Sequence, residues 1–91
     1  MAVTVRIPTI LRSYTAGSAM VSVDAHTVEE ALTALEGDYP GISSRILDDE
    51  GKLRRFVNVY VGEEDIRGAD NLKTRIPDGS NVTVIPAVAG G

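Results

Sequence analysis

The sequence predicts an α+β domain, a mixed sheet packed on one main helix with a tail protruding from the C-terminal end. Three observations carry this. Apolar and polar residues alternate around 3–7, 19–23, 55–61 and 82–85, the period of a strand with one buried face. Val28, Ala31, Leu32 and Leu35 fall at i, i+3, i+4 and i+7, the apolar stripe of a single helix. The chain then finishes on Ala87-Val88-Ala89-Gly90-Gly91, running directly out of the last alternating segment.

Taken in order, Val3, Val5 and Ile7 alternate with Thr4 and Arg6 as a first strand that ends near Pro8, the pattern resuming weakly through Ile10 and Leu11. Thr15-Ala16-Gly17-Ser18 reads as a turn, and Ala19, Val21 and Val23 form a second strand close enough to pair with the first as a hairpin. Thr27 and Glu30 have capping-box spacing: the hydroxyl accepts an early helix amide and the carboxylate returns to the cap amide. The helix they open runs about three turns, and Gly37, backed by Pro40-Gly41, is expected to stop it. Ile42, Ile46 and Leu47 suggest a short helical turn, and Asp48-Asp49-Glu50-Gly51 an exposed acidic loop.

Arg55 to Val61 is the strongest strand, with Val57, Val59 and Val61 on one face and Phe56, Asn58 and Tyr60 on the other. A tight connection at Gly62–Asp65 leads to an edge segment at Ile66-Arg67, Leu72 and Ile76 are apolar anchors in a loop, and Pro77–Ser80 is a turn. Val82 and Val84, with Thr83 and Ile85 opposite, make the last strand, which Pro86 ends. The first and last long strands, each with a regular valine face, belong side by side at the sheet centre. Residues 1–86 are read as the domain and 87–91 as a flexible tail. On the sheet face away from the helix, Arg6, Phe56, Asn58, Tyr60, Thr83 and Ile85 are expected to be exposed, a docking surface for another protein.

Composition narrows the function. At 91 residues there is room for one core. No cysteine is present, which removes thiol nucleophiles, thiolate ligands and disulfides and fits a cytoplasmic location. No apolar run reaches transmembrane length, and the N-terminus lacks the basic-then-apolar pattern of a signal peptide, so no membrane role is expected. Thirteen acidic residues against nine basic ones give a net charge of −4, which repels a phosphate backbone, so no nucleic-acid partner is expected. The single histidine, His26, sits in a connection without partners for a zinc site or a convincing triad, and the acidic loop lacks the alternation of a calcium loop. No catalytic residue and no metal ligand is assigned, and the chain reads as something other than an enzyme.

Chemistry is left to the end of the chain. Gly is roughly 7% of residues, so a chance pair at one fixed place has a probability of roughly half a percent. Gly90 and Gly91 carry no Cβ, and with the small Ala87, Val88 and Ala89 the tail can pass a channel too narrow for large side chains. The Gly91 carboxylate is a poor electrophile until an oxygen becomes a good leaving group, as happens when it attacks the α-phosphate of ATP.

With these residues in view, the chain resembles the ubiquitin-like β-grasp sulfur carriers, the group containing ThiS and MoaD. The resemblance covers essentially the whole chain. More narrowly, Ile7-Pro8-Thr9-Ile10-Leu11-Arg12, Arg55-Phe56-Val57-Asn58-Val59-Tyr60-Val61 and Pro86-Ala87-Val88-Ala89-Gly90-Gly91 look like the actinobacterial carriers of cysteine biosynthesis. The resemblance implies that a ThiF/MoeB-like adenylating enzyme activates Gly91 with ATP and that sulfur then replaces one carboxylate oxygen to give a thiocarboxylate. It further implies a pyridoxal-phosphate cysteine synthase working from O-phosphoserine as the acceptor enzyme, and a zinc-dependent JAMM-type peptidase that releases cysteine. ATP, pyridoxal phosphate and zinc would belong to those partners, none being bound by this chain. Other readings stay open: a carrier for thiamine, molybdopterin or a specialised metabolite, a ubiquitin-like modifier joined through Gly91, or a noncovalent binding module.

Overall fold

The computed structural model describes residues 2–86. The elements are β1 (Ala2–Arg6), β2 (Met20–Asp24), α1 (Val28–Asp38), α2 (Ser43–Ile46), β3 (Val57–Val61), β4 (Glu64–Asp65) and β5 (Asn81–Pro86), with 3-10 turns at Thr9–Thr15, Ile66–Gly68 and Asn71–Lys73. The sheet order is β2-β1-β5-β3-β4. β1 and β5 pair in parallel, Val5 against Val82, while the β1–β2, β3–β5 and β3–β4 pairs are antiparallel. The first and last strands therefore share the centre, as their valine faces predict.

The core follows from that alternation. Val3 and Val5 of β1, Val59 of β3 and Val82 and Val84 of β5 point to one side, where Val28, Ala31, Leu32 and Leu35 of α1 meet them. Ile42, Ile46, Ile66 and Ile76 close the rim. At the start of α1 the Thr27 hydroxyl accepts from the Glu30 amide at 3.2 Å. The Glu30 carboxylate, however, accepts from the His26 amide at 2.8 Å, one residue before the cap amide expected for it.

Four element boundaries differ from the sequence expectation, each for a local reason. The helix runs through Gly37 to Asp38. The positive φ that a C-terminal glycine supplies is at Gly41 (φ 99°), and Glu36 secures the turn by accepting from the amides of Gly41 at 2.8 Å and Ser43 at 2.9 Å. β3 begins at Val57, so Phe56 lies in the preceding turn instead of on the strand. There the Val57 amide donates back to the Arg54 carbonyl, and Arg67 Nη2 donates to the same carbonyl at 2.7 Å. That carbonyl is engaged by the turn and by Arg67, and the ladder among the described residues begins with Val57 opposite Pro86.

The edge strand is Glu64–Asp65 rather than Ile66-Arg67. It is a hairpin partner of Tyr60–Val61 across a two-residue connection with Gly62 at φ 61°. Ile66 then turns into the core while Asp65 caps its turn by accepting from the Arg67 amide. Finally, residues 9–15 form a 3-10 helix in which Leu11 is buried and Ile10 is exposed, instead of continuing the first strand's pattern. The Thr15 hydroxyl fixes the turn that follows by donating to the Ser18 carbonyl at 2.8 Å.

Candidate functional site

Register places the open sheet face in rows. Met20, Arg6, Thr83 and Tyr60 lie side by side from β2 to β3, and Asn58 lies opposite Ile85 in the next row. Among the expected docking residues, Arg6 and Ile85 are exposed, Ile85 at 45%, while Asn58 and Tyr60 are half-buried. Asn58 Oδ1 accepts from Arg67 Nη1 at 2.7 Å, so its amide is already engaged in holding the face together. Phe56 is 50% exposed at the end of the face, in its turn beside the start of β3, with the Arg55 guanidinium 5.9 Å from its ring centre.

Two grooves meet at Pro86. The first, of about 380 Å³, is lined by Arg6, Pro8, Arg12, Met20 and Ile85 among others. The second, of about 340 Å³, is lined by Asp48, Arg54, Arg55, Phe56, Val57 and Pro86, and Pro86 lines the first as well. Because β5 is a central strand, it delivers Pro86 between the end of β1 and the beginning of β3, where Val57 is its partner. The tail residues Ala87, Val88, Ala89, Gly90 and Gly91, which carry the expected chemistry, lie outside the described residues. Their point of departure lies between the two grooves.

Sequence reasoning missed Met20, 60% exposed and in the first groove, although its phase opposite Val21 and Val23 put it on the outward face. It also missed that Arg12, Arg54 and Arg55 share Pro86's surroundings, because only the sheet order brings residues 12 and 54 to one end.

Three carboxylates, Glu36, Asp48 and Glu30, accept from nearby backbone amides and secure local turns. Glu36 is held below its ordinary value by the Gly41 and Ser43 amides, and Asp48 by the Lys52 amide, against a smaller opposing effect of burial, with the Glu50 amide and the charges of Lys52 and Arg54 assisting. Glu30 is lowered first by the His26 amide, and the His26 ring lies 3.3 Å from it on the exposed surface. Among the described residues no group of three His, Cys, Asp or Glu is placed to hold a metal ion, and no helix is long and apolar enough to cross a membrane.

The chain matches the ThiS family over residues 5–91, up to and including the final glycine. It belongs to that family. The sulfur carrier protein CysO of Mycobacterium tuberculosis (strain ATCC 25618 / H37Rv) is 52% identical to it over 93 residues, covering 100% of both chains. In the crystal structure of an Amycolatopsis orientalis BexX/CysO complex, one chain superimposes with a TM-score of 0.91 at 46% identity, covering 98% of this chain and 99% of that one. The crystal structure of the Haloferax volcanii small archaeal modifier protein 1 superimposes with a TM-score of 0.80 at 30% identity, covering 96% and 98%. The fold is the mixed-sheet ubiquitin-like β-grasp of these ThiS-like structures, as the resemblance implied.

Proposed function

We propose that this ThiS-family chain is a sulfur carrier, a protein co-substrate whose Gly91 carboxylate is activated and converted to a thiocarboxylate for cysteine biosynthesis. The observation that carries this reading is the end-to-end correspondence, at 52% identity, with a sulfur carrier protein. In the first step a Gly91 carboxylate oxygen attacks the α-phosphate of ATP on a ThiF/MoeB-like enzyme, forming the acyl-adenylate and releasing pyrophosphate. A sulfur nucleophile then attacks the carbonyl carbon and AMP leaves, so one oxygen has been exchanged for sulfur. A pyridoxal-phosphate cysteine synthase supplies the acceptor made from O-phosphoserine. The thiocarboxylate sulfur adds to that acceptor to give a thioester, whose acyl group then shifts from sulfur to the cysteine nitrogen, leaving an amide at Gly91. A JAMM-type zinc peptidase hydrolyses this amide, releasing cysteine and returning the double-glycine end.

The domain's part in this is to dock and to deliver. Gly90 and Gly91, with Ala87, Val88 and Ala89 behind them, offer little side-chain bulk to an enzyme channel. Holding the sulfur on a docked protein raises its effective concentration at the acceptor and keeps it out of free solution. Phe56, Tyr60, Asn58, Arg6 and Ile85 are assigned to the docking face, with Phe56 and Tyr60 as its aromatic anchors. The likeness to a small archaeal modifier protein favours a second reading, isopeptide attachment of Gly91 to lysines of other proteins.

Intact mass spectrometry of the carrier from its native host, with fragmentation of the tail, decides between them. Exchange of one Gly91 oxygen for sulfur, or an added cysteine residue there, is the expected result, and the cysteinyl form identifies the cysteine route. Recovery of Gly91 linked to protein lysines would establish the modifier reading instead. A carboxylate that stays unmodified after incubation with ATP, sulfide and the host's adenylating enzyme would overturn both.

A further inference from the structure

The two grooves that share Pro86 hold four of the nine cationic residues, Arg6 and Arg12 on one side and Arg54 and Arg55 on the other. Asp48 is the single carboxylate lining either groove, and its Oδ1 already accepts from the Glu50 and Lys52 amides. Among the described residues the ion pairs are His26–Glu30 and Lys73–Glu29, so none of the four arginines is neutralised by a carboxylate at contact distance. Two are held by one nitrogen only. Arg12 Nε donates to the Ile7 carbonyl at 3.1 Å and Arg54 Nε to the Ser44 carbonyl at 2.9 Å. Each keeps its two terminal nitrogens, the pair that grips a carboxylate, without a partner in the described chain.

An acidic protein here gathers around one point four arginines with no carboxylate at contact distance among the described residues. We infer that these four residues form an electrostatic collar for an acidic protein surface. The enzyme that activates Gly91, on the reading under Proposed function, presents carboxylates around the mouth of its tail channel. A protein is favoured over a nucleic acid on two grounds. The chain's net charge of −4 repels a long polyanion, whereas a docked protein feels mainly the charges within a Debye length of about 8–10 Å. The collar is also interleaved with the apolar groups Met20, Phe56 and Ile85, and arginine with aromatic and methionine side chains is the composition of a protein interface. The collar's contribution is to association rate and orientation, because rim charges steer encounter more than they lengthen residence.

The test is the association rate of the full chain with the host's adenylating enzyme, from about 0.01 M to about 1 M salt, where the Debye length shrinks from about 30 Å to about 3 Å. Three double variants are compared: R6Q/R12Q, R54Q/R55Q, and K73Q/R75Q at the opposite end of the domain, where Arg75 bridges to Thr27 before α1. The inference expects the native rate to fall steeply with salt, and each collar variant to be at least about tenfold slower at low salt with a flatter salt slope. K73Q/R75Q keeps the native slope. Lysine at the collar positions restores most of the rate, which separates charge from misfolding.

Collar variants that associate like K73Q/R75Q would overturn the inference, as would a native rate indifferent to salt. So would a single-stranded oligonucleotide displacing the enzyme from the native chain at low salt. Pyrophosphate exchange at saturating carrier separates this inference from the reading beneath it. If the native chain is never adenylated, that reading fails and the collar has no such partner. If it is adenylated while the collar variants associate normally, the collar alone is wrong.

Discussion

Phe56, proposed as an interface anchor, is half exposed, whereas Arg67 bonds to its own chain and braces the turn beside it. Phe56 lies in a turn and is not among the residues of the buried cluster. Phe56→Ala is expected to change unfolding free energy by no more than about 0.5 kcal/mol, as surface substitutions do. It should lower kcat/KM for adenylation by about tenfold or more, the size of one interface anchor at about 1.4 kcal/mol or above. A calorimetric stability loss that accounts for the activity loss would instead place Phe56 in the structural core. Arg67 acts through others. Its guanidinium joins Asn58 Oδ1, the Arg54 carbonyl and, at 3.5 Å, the Arg55 carbonyl, so it fixes the turn that presents Phe56. Arg67→Lys keeps the charge but cannot span these acceptors, and should raise amide exchange in residues 54–58 while leaving exchange in β1 and β2 unchanged. Uniform exchange in both regions would show that the turn holds itself.

At the scale of elements, α1 is fixed at both ends by carboxylates, and acid should loosen it. The Glu36 value in the folded chain lies below its ordinary 4.5 because two loop amides donate to it. Its contribution is therefore full above 4.5 and fades as pH falls through the depressed folded value. Glu30 and Asp48 shift the same way for the same reason, so the whole chain should lose stability on that side. Glu36→Gln removes the charge and keeps the shape. It is expected to melt below the native chain at neutral pH, and the gap in Tm should close as the medium becomes acidic. A gap that stays constant far below 4.5 would show that the charge is irrelevant.

These contacts also explain what was legible in the sequence. The strands and helix were readable because valine alternation and the Val28–Leu35 stripe are local. The stop at Gly37 was misread because Glu36 reaches forward to residues 41 and 43, a contact with no periodic signature. The start of β3 was misread for the same kind of reason, since Arg67 lies thirteen residues beyond the Arg54 carbonyl it holds. On the open sheet face, the exposure of Arg6 and Ile85 was legible from alternation alone, and the same signal applied to Met20. The gathering of Arg12 and Arg54 at one end needed the sheet order.

For the molecule as a whole, the topology sets the folded core apart from the end of the chain at which we propose the chemistry. Every buried apolar residue among those described lies between Val3 and Val84, and the central strand β5 carries the chain out of that core at Pro86. A chain lacking Gly90 and Gly91 therefore keeps the core, both grooves and the arginines, and should unfold within about 0.5 kcal/mol of the intact chain. On the proposed reading it is expected not to be adenylated, yet it should still occupy the activating enzyme. The expected behaviour is competitive inhibition of adenylation of the intact carrier, with an inhibition constant within about tenfold of the carrier's KM, a difference of about 1.4 kcal/mol. If the shortened chain inhibits only at far higher concentration, most of the binding energy resides in the last two residues and the domain is chiefly a handle. If it inhibits as expected, docking through the sheet face supplies the affinity, and the double glycine is left to supply access and chemistry.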